Sequence, residues 1–111
     1  MSKRRVVITG IGIISPVGNT VTEAWNNIID GNSGVSPIAK FDTKDFETKF
    51  AATVNFNPED HLDKKEIRRV DEFIQFGLIA SDQCVIDSGL NLEEEDLNRI
   101  GVSIGSGIGG L

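Results

Sequence analysis

The chain has 111 residues, about the length of one small domain. With 39% hydrophobic and 25% charged residues it carries enough apolar material for a core, which argues against disorder. Its 17 acidic and 11 basic residues leave a net charge of −6, which disfavours general nucleic-acid binding but leaves room for a local basic patch. No apolar run approaches the roughly 18 to 20 residues of a membrane span. The basic start, Met1-Ser2-Lys3-Arg4-Arg5, is followed by a stretch broken at Gly10, Gly12 and Pro16, a poor secretory signal. One cysteine, Cys84, excludes an internal disulfide and a cysteine-based zinc site, and one histidine, His61, leaves little metal chemistry. These features fit a cytoplasmic protein that uses neither a metal nor a membrane.

Residues 5–9 read as a buried strand, since Val6, Val7 and Ile8 are consecutive and β-branched. A turn-rich loop over residues 10–19 leads to a helix opening at Thr20. There Thr20-Val21-Thr22-Glu23 has capping-box spacing, with Glu23 able to reach back to a free N–H. Val21, Ala24, Trp25, Ile28 and Ile29 give that helix one apolar face, and Gly31 is placed to end it. Residues 31–48 read mostly as loop, with Phe41 and Phe46 as apolar anchors, and residues 50–55 as a short strand. Asn57-Pro58 suits a helix start, and Asp63 and Glu66 repeat the capping spacing before a short basic helix.

Residues 71–87 form the longest helical candidate and are apolar around most of the circumference, with Ser88-Gly89 as the stop. Such a helix is a buried one, more buried than one small domain achieves. The expectation is therefore a central-layer helix that lies exposed to solvent within these residues alone. An acidic connection over residues 90–99 leads to a second buried strand over residues 100–106. The chain then closes on Gly105-Ser106-Gly107-Ile108-Gly109-Gly110-Leu111. Stopping inside a glycine-rich loop reads as the front part of a larger protein. The order strand, helix, strand, helix, strand predicts an α/β fold of layered sheets and helices.

Gly10-Ile11-Gly12 after a strand invites a dinucleotide-binding reading. Position 15 is Ser15, Pro16 follows and the helix waits until Thr20, so the fingerprint is incomplete and a structural turn is the plainer reading. The C-terminal glycines lack the lysine of a phosphate-binding loop and suit close backbone packing. Cys84 sits among apolar residues with no histidine nearby, and reads as a small buried hydrophobe. His61 reads as a surface residue and the acidic run 93–96 as a solvated loop. Lys64, Lys65, Arg68 and Arg69 place four of eleven basic residues within six positions, and at about 100° per residue they span one helical face, with Ile67 and Val70 opposite. Taken alone they fit a solvated face, or a dock for phosphate or an acidic protein.

Several motifs in order resemble the β-ketoacyl-[acyl-carrier-protein] synthase family. They are Arg4-Arg5-Val6-Val7-Ile8-Thr9-Gly10-Ile11-Gly12 with Ser15-Pro16-Val17-Gly18-Asn19, then Gly31-Asn32-Ser33-Gly34-Val35 with Phe41-Asp42. Residues 71–76, Asp87-Ser88-Gly89-Leu90 and residues 99–110 complete the set. Ile108 in the glycine-rich loop resembles the synthase II branch more than synthase I. The resemblance implies a thiolase-like α-β-α-β-α fold, of which this chain is part of the N-terminal half, and usually a homodimer. It implies decarboxylative Claisen condensation of acyl and malonyl groups carried on the phosphopantetheine of acyl carrier protein, with no cofactor bound by this chain. The nucleophilic cysteine and two histidines it implies match neither Cys84 nor His61, so no catalytic residue is expected here. Gly107 and Ile108 match the acyl-pocket loop, and Lys64, Lys65, Arg68 and Arg69 match a docking surface for the acidic carrier protein. Two other classes remain: a non-catalytic chain-length-factor-like relative, and a Rossmann-type oxidoreductase segment.

Overall fold

The computed structural model describes residues 3–110. Met1, Ser2 and Leu111, which belong to the basic start and the closing glycine-rich loop, lie outside the described residues. Helix α1 spans Val21–Ile29. Its capping box closes in both directions: Thr20 Oγ1 accepts from the Glu23 N–H at 3.2 Å, and the Glu23 carboxylate accepts at 2.9 Å from the N–H of Asn19, one residue earlier than the cap. Asp30 caps the C-terminus, and Gly31 follows at φ 71°.

Strands β1 (Val35–Pro37) and β2 (Phe50–Ala52) pair antiparallel, with Val35 opposite Ala52, Ser36 opposite Ala51 and Pro37 opposite Phe50. This corrects two expectations. Strand β1 lies in a stretch read as loop, and the strand expected over residues 50–55 stops at Ala52. Pro37 cannot donate to a ladder, but a two-stranded edge tolerates it. The Ile38 N–H then bonds the Lys49 carbonyl at 2.9 Å and prolongs the pairing. Between the strands, Phe41 and Phe46 meet edge to face at 5.6 Å, so the two expected anchors pack on each other.

A single 3-10 turn, Pro58–Asp60, replaces the helix expected at Asn57-Pro58. Helix α2 covers only Lys64–Ile67, and α3 covers Glu72–Ser88. Gly89 at φ 68° closes α3 as the sequence indicates. The acidic connection holds a second 3-10 turn, Leu97–Arg99, capped by Asp96.

The two buried strands predicted at residues 5–9 and 100–106 do not form ladders. A strand needs a lateral neighbour for its N–H and C=O groups, and none lies beside either segment among the described residues. Their side chains are correspondingly open, with Val6 86%, Ile8 84% and Val102 84% exposed. The sheet of an α/β layer is therefore not assembled within the described residues, which hold helices and one small antiparallel sheet. The radius of gyration, 17.6 Å, exceeds the roughly 13 Å of a closed domain of this length. Ala24 and Ile79 are the buried apolar side chains and Gln75 the buried polar one. Helix α3 thus lies partly uncovered: Ile74, Leu78, Val85 and Ile86 are exposed, whereas Phe73 and Phe76 are half-buried and Ile79 is buried.

What organises the chain is the seat of residues 10–14 on α3. An added Cβ at Gly12 would overlap the Ala80 carbonyl, and one at Gly10 would overlap the Cys84 carbonyl and lie 2.7 Å from the Ser88 nitrogen. Only glycine permits that approach. The polar groups of the loop are then paired by α3. The Ile11 N–H donates to Asp87 at 2.9 Å, the Ile13 N–H to Gln83 Oε1 at 3.1 Å, and Gln83 Nε2 to the Asn19 carbonyl at 2.7 Å. Gly12→Ala should push the loop off the helix and lower stability by roughly 1–3 kcal/mol, the usual cost of overpacking. Urea unfolding of the full-length protein carrying this chain measures it, and an unchanged midpoint would mean that the approach is not tight.

Candidate functional site

The basic turn is built from caps. Asn57 accepts from the Glu59 N–H at 3.2 Å and starts the 3-10 turn. Asp63 Oδ1 accepts from the N–H groups of Lys65 at 2.8 Å and Glu66 at 3.0 Å and starts α2. A four-residue helix cannot sustain itself. It ends at Ile67, and the chain continues as a turn in which the Arg69 N–H bonds the Glu66 carbonyl at 2.9 Å. The four cations therefore do not share one continuous helical face. Lys64 and Lys65 stand on α2, and Arg68 and Arg69 on the turn that leaves it.

All four cations are exposed, while Ile67 and Val70 are half-buried on the inner side. Lys64 Nζ lies 3.6 Å from Glu59 Oε2. Among the described residues Lys65, Arg68 and Arg69 make no ion pair, so three positive charges face solvent on a chain of net charge −6. The turn is tied inward by Gln75, whose Nε2 donates to the carbonyls of Val70 at 3.2 Å and Ile67 at 3.4 Å. Sequence reasoning passed over Gln75. Its signal was a lone uncharged polar residue inside the apolar run Phe73-Ile74-Gln75-Phe76.

The second expected site, the glycine-rich loop, meets the same end of α3. Gly109, at φ 81°, lies so close to the Phe73 ring that an added Cβ would stand 3.2 Å from its edge. A Cβ on Gly110 would stand 2.6 Å from Asp71 Oδ2. Asp71 is the N-cap residue of α3, one residue beyond Val70. The basic turn and the glycine-rich loop thus converge on the first turns of one helix. Beside them lies an apolar cleft of about 630 Å³, lined among others by Gly12, Ile13, Phe73, Phe76, Gly105 and Ser106. Gly107 and Ile108 are not among its lining residues, and the Ile108 side chain is 78% exposed.

Cys84 is half-buried, and its thiol donates to the Gly10 carbonyl at 3.2 Å. It is less buried than its reading as a small buried hydrophobe expects, and its polar contact serves the seat of the 10–14 loop. His61 closes the 3-10 turn and is exposed. Gly10 and Gly12 lie against the middle and C-terminal half of α3, where their missing Cβ serves close backbone packing, in keeping with the plainer reading of the turn. Among the described residues no group of three His, Cys, Asp or Glu side chains gathers to hold a metal. No helix of the described residues is long and apolar enough to cross a membrane.

Comparison with known proteins places these features in context. The family described as β-ketoacyl synthase, N-terminal domain, matches residues 3–111. A 3-oxoacyl-[acyl-carrier-protein] synthase 2 of Vibrio cholerae is 54% identical over 112 residues, covering 100% of this chain and 27% of that protein. The synthase 2 of Coxiella burnetii is 50% identical over 112 residues, with the same coverage of each chain. Among solved structures, the ishigamide ketosynthase/chain length factor superposes with a TM-score of 0.75 at 33% identity, covering 84% of this chain and 23% of that one. The chain spans about a quarter of the length of the curated relatives it matches.

Proposed function

Because this chain belongs to the β-ketoacyl synthase N-terminal-domain family, we propose that it is the N-terminal part of a 3-oxoacyl-[acyl-carrier-protein] synthase of type 2. The observation that carries this reading is the 54% identity to such a synthase along the whole chain. In this reading the complete protein has the layered α-β-α-β-α fold and works as a cytoplasmic homodimer. Residues 5–9 and 100–106 then become sheet strands, and α3 a central-layer helix. The exposed side chains of Val6, Ile8, Val102 and Ile104 support that placement, since they need a cover.

The reaction proceeds in two transfers. A cysteine thiolate attacks the acyl thioester of the carrier protein, and the carrier's phosphopantetheine thiol leaves. The malonyl thioester then loses CO₂, and its enolate carbon attacks the enzyme-bound acyl carbonyl. The carbon–carbon bond forms as the enzyme thiolate departs, giving a 3-oxoacyl thioester two carbons longer. Two histidines stabilise the enolate, and N–H groups stabilise the oxyanion. None of these residues is assigned to this chain, which binds no cofactor of its own. Its part is recognition: Lys65, Arg68 and Arg69, with Lys64 shared with Glu59, dock the acidic carrier protein, and Gly107 and Ile108 border the acyl chain.

A second reading, a non-catalytic chain-length-factor-like relative, has one observation in its favour: the solved neighbour is named as a ketosynthase/chain length factor. Turnover separates the two. The full-length protein carrying this chain should condense acyl and malonyl carrier-protein thioesters and release CO₂, residues 1–111 alone should not, and Cys84→Ala in the full-length protein should keep its rate within about twofold, as expected of a packing residue. A full-length protein without turnover favours the chain-length-factor reading, and loss of turnover on Cys84→Ala overturns its packing role.

The docking surface predicts a salt-dependent loss. Exposed charge pairs contribute about 0.2–1 kcal/mol each, so a single reversal acts modestly. Lys65→Glu/Arg68→Glu/Arg69→Glu should slow association with carrier-bound substrate by roughly tenfold or more, the loss shrinking as salt rises. Rates on small free thioesters should hold. Equal losses on both substrates would assign the patch a structural role.

Ile108 predicts a change of selectivity. Set on a loop of glycines, a branched apolar side chain can fill or clear a channel. Ile108→Phe should lower the rate with long acyl chains relative to short ones. An unchanged ratio would remove Ile108 from the acyl path.

A further inference from the structure

Carrier-protein docking needs the cations held at fixed positions, and α2 is too short to hold them by itself. Four helical residues carry one or two intrahelical bonds, and the turn after them leaves carbonyls with no partner in the helix. The cationic side chains are long and exposed, so their mean positions follow the backbone that bears them. That backbone is attached inward at three points: the half-buried side chains of Ile67 and Val70, and the amide of Gln75. Gln75 is 7% exposed, the one buried polar side chain among the described residues. Its amide nitrogen has two hydrogens, and each is given to a carbonyl of the basic turn: Val70 at 3.2 Å and, more weakly, Ile67 at 3.4 Å. The two carbonyls flank Arg68 and Arg69 in sequence. An apolar residue at position 75 could fill the same space but could not fix both ends of the arginine pair.

We propose that Gln75 is a positioning residue for the carrier-protein dock, clamping the backbone on both sides of Arg68 and Arg69 to α3 so that the pair faces an acidic partner in one orientation. This rests on the reading of Lys65, Arg68 and Arg69 as that dock. Gln75 acts through the arginines and touches neither carrier protein nor the reacting atoms.

The test uses the full-length protein. Gln75→Leu keeps the volume and removes both donors, and Gln75→Met, more adaptable in a packed site, replaces it if the leucine variant does not fold. KM for carrier-bound acyl substrate should rise by roughly threefold to tenfold, on the scale of one or two weakened charge contacts, with kcat unchanged. Rates on small free thioesters should also be unchanged. Equal losses on both substrates, or no change on either, overturns the proposal. A second arm adds Gln75→Leu to Arg68→Glu/Arg69→Glu. A residue that acts through the arginines has little left to lose there, so the effects should fall short of additive, and full additivity overturns the proposal. If Arg68→Glu/Arg69→Glu alone leaves carrier KM intact, the docking reading fails, whereas an intact dock with a silent Gln75→Leu fails the clamp alone.

Discussion

Two backbones can touch only where neither carries a side chain between them, and this constraint governs how residues 10–14 lie on α3. Gly12 over the Ala80 carbonyl and Gly10 over Cys84 and Ser88 bring main chain against main chain. The loop's N–H groups, outside any helix or ladder, also find partners on that helix. Helix α3 supplies them from Gln83 and Asp87, and Gln83 uses both ends of its amide, accepting from Ile13 and donating to Asn19. The Asn19 N–H meets Glu23 of the α1 capping box, so the seat on α3 also fixes where α1 begins.

The N-terminal half of α3 carries a different load. Phe76 packs edge to face on Phe56 at 5.0 Å, Glu72 pairs with Lys40 at 3.2 Å, and Gln75 holds the basic turn. Asp71 and Phe73 receive the glycine-rich loop. The exposed Lys40–Glu72 pair contributes little energy, and the aromatic contact and the buried amide set the geometry. The basic turn and the glycine-rich loop, the surfaces proposed for partner and acyl chain, are therefore both referred to α3, although they are far apart in sequence.

The open segments explain why so little of this chain is buried. Fully burying a valine or isoleucine stabilises by about 1.5–3 kcal/mol. Val6, Ile8, Val102 and Ile104 forgo most of that here, and the segments that bear them lack ladder partners as well. The chain spans about a quarter of its relatives' length, and under the proposed reading the cover of these segments comes from the rest of such a synthase. An apolar face on α1, with Trp25 and Ile29 each 61% exposed, likewise coexists with good caps and a regular helix.

Local chemistry was legible in the sequence because it depends on neighbours within a few residues. Thr20 with Glu23, Asp63 before α2, and Gly31 and Gly89 after their helices act at the positions their spacing indicates. The family was legible for another reason: the order and spacing of many weak motifs are specific together. Strand formation was legible only at Phe50–Ala52, because apolar β-branched runs such as Val6-Val7-Ile8 state a preference while a ladder needs a second strand, and β1 formed where turn residues argued against it. The sequence reading makes the basic helix too long, since cationic spacing is the same whether a helix runs on or unwinds at Arg68. Tertiary structure alone assigned Gln75, Gln83 and Asp87 their partners, because each bond joins a side chain to main chain that folding must first bring within reach.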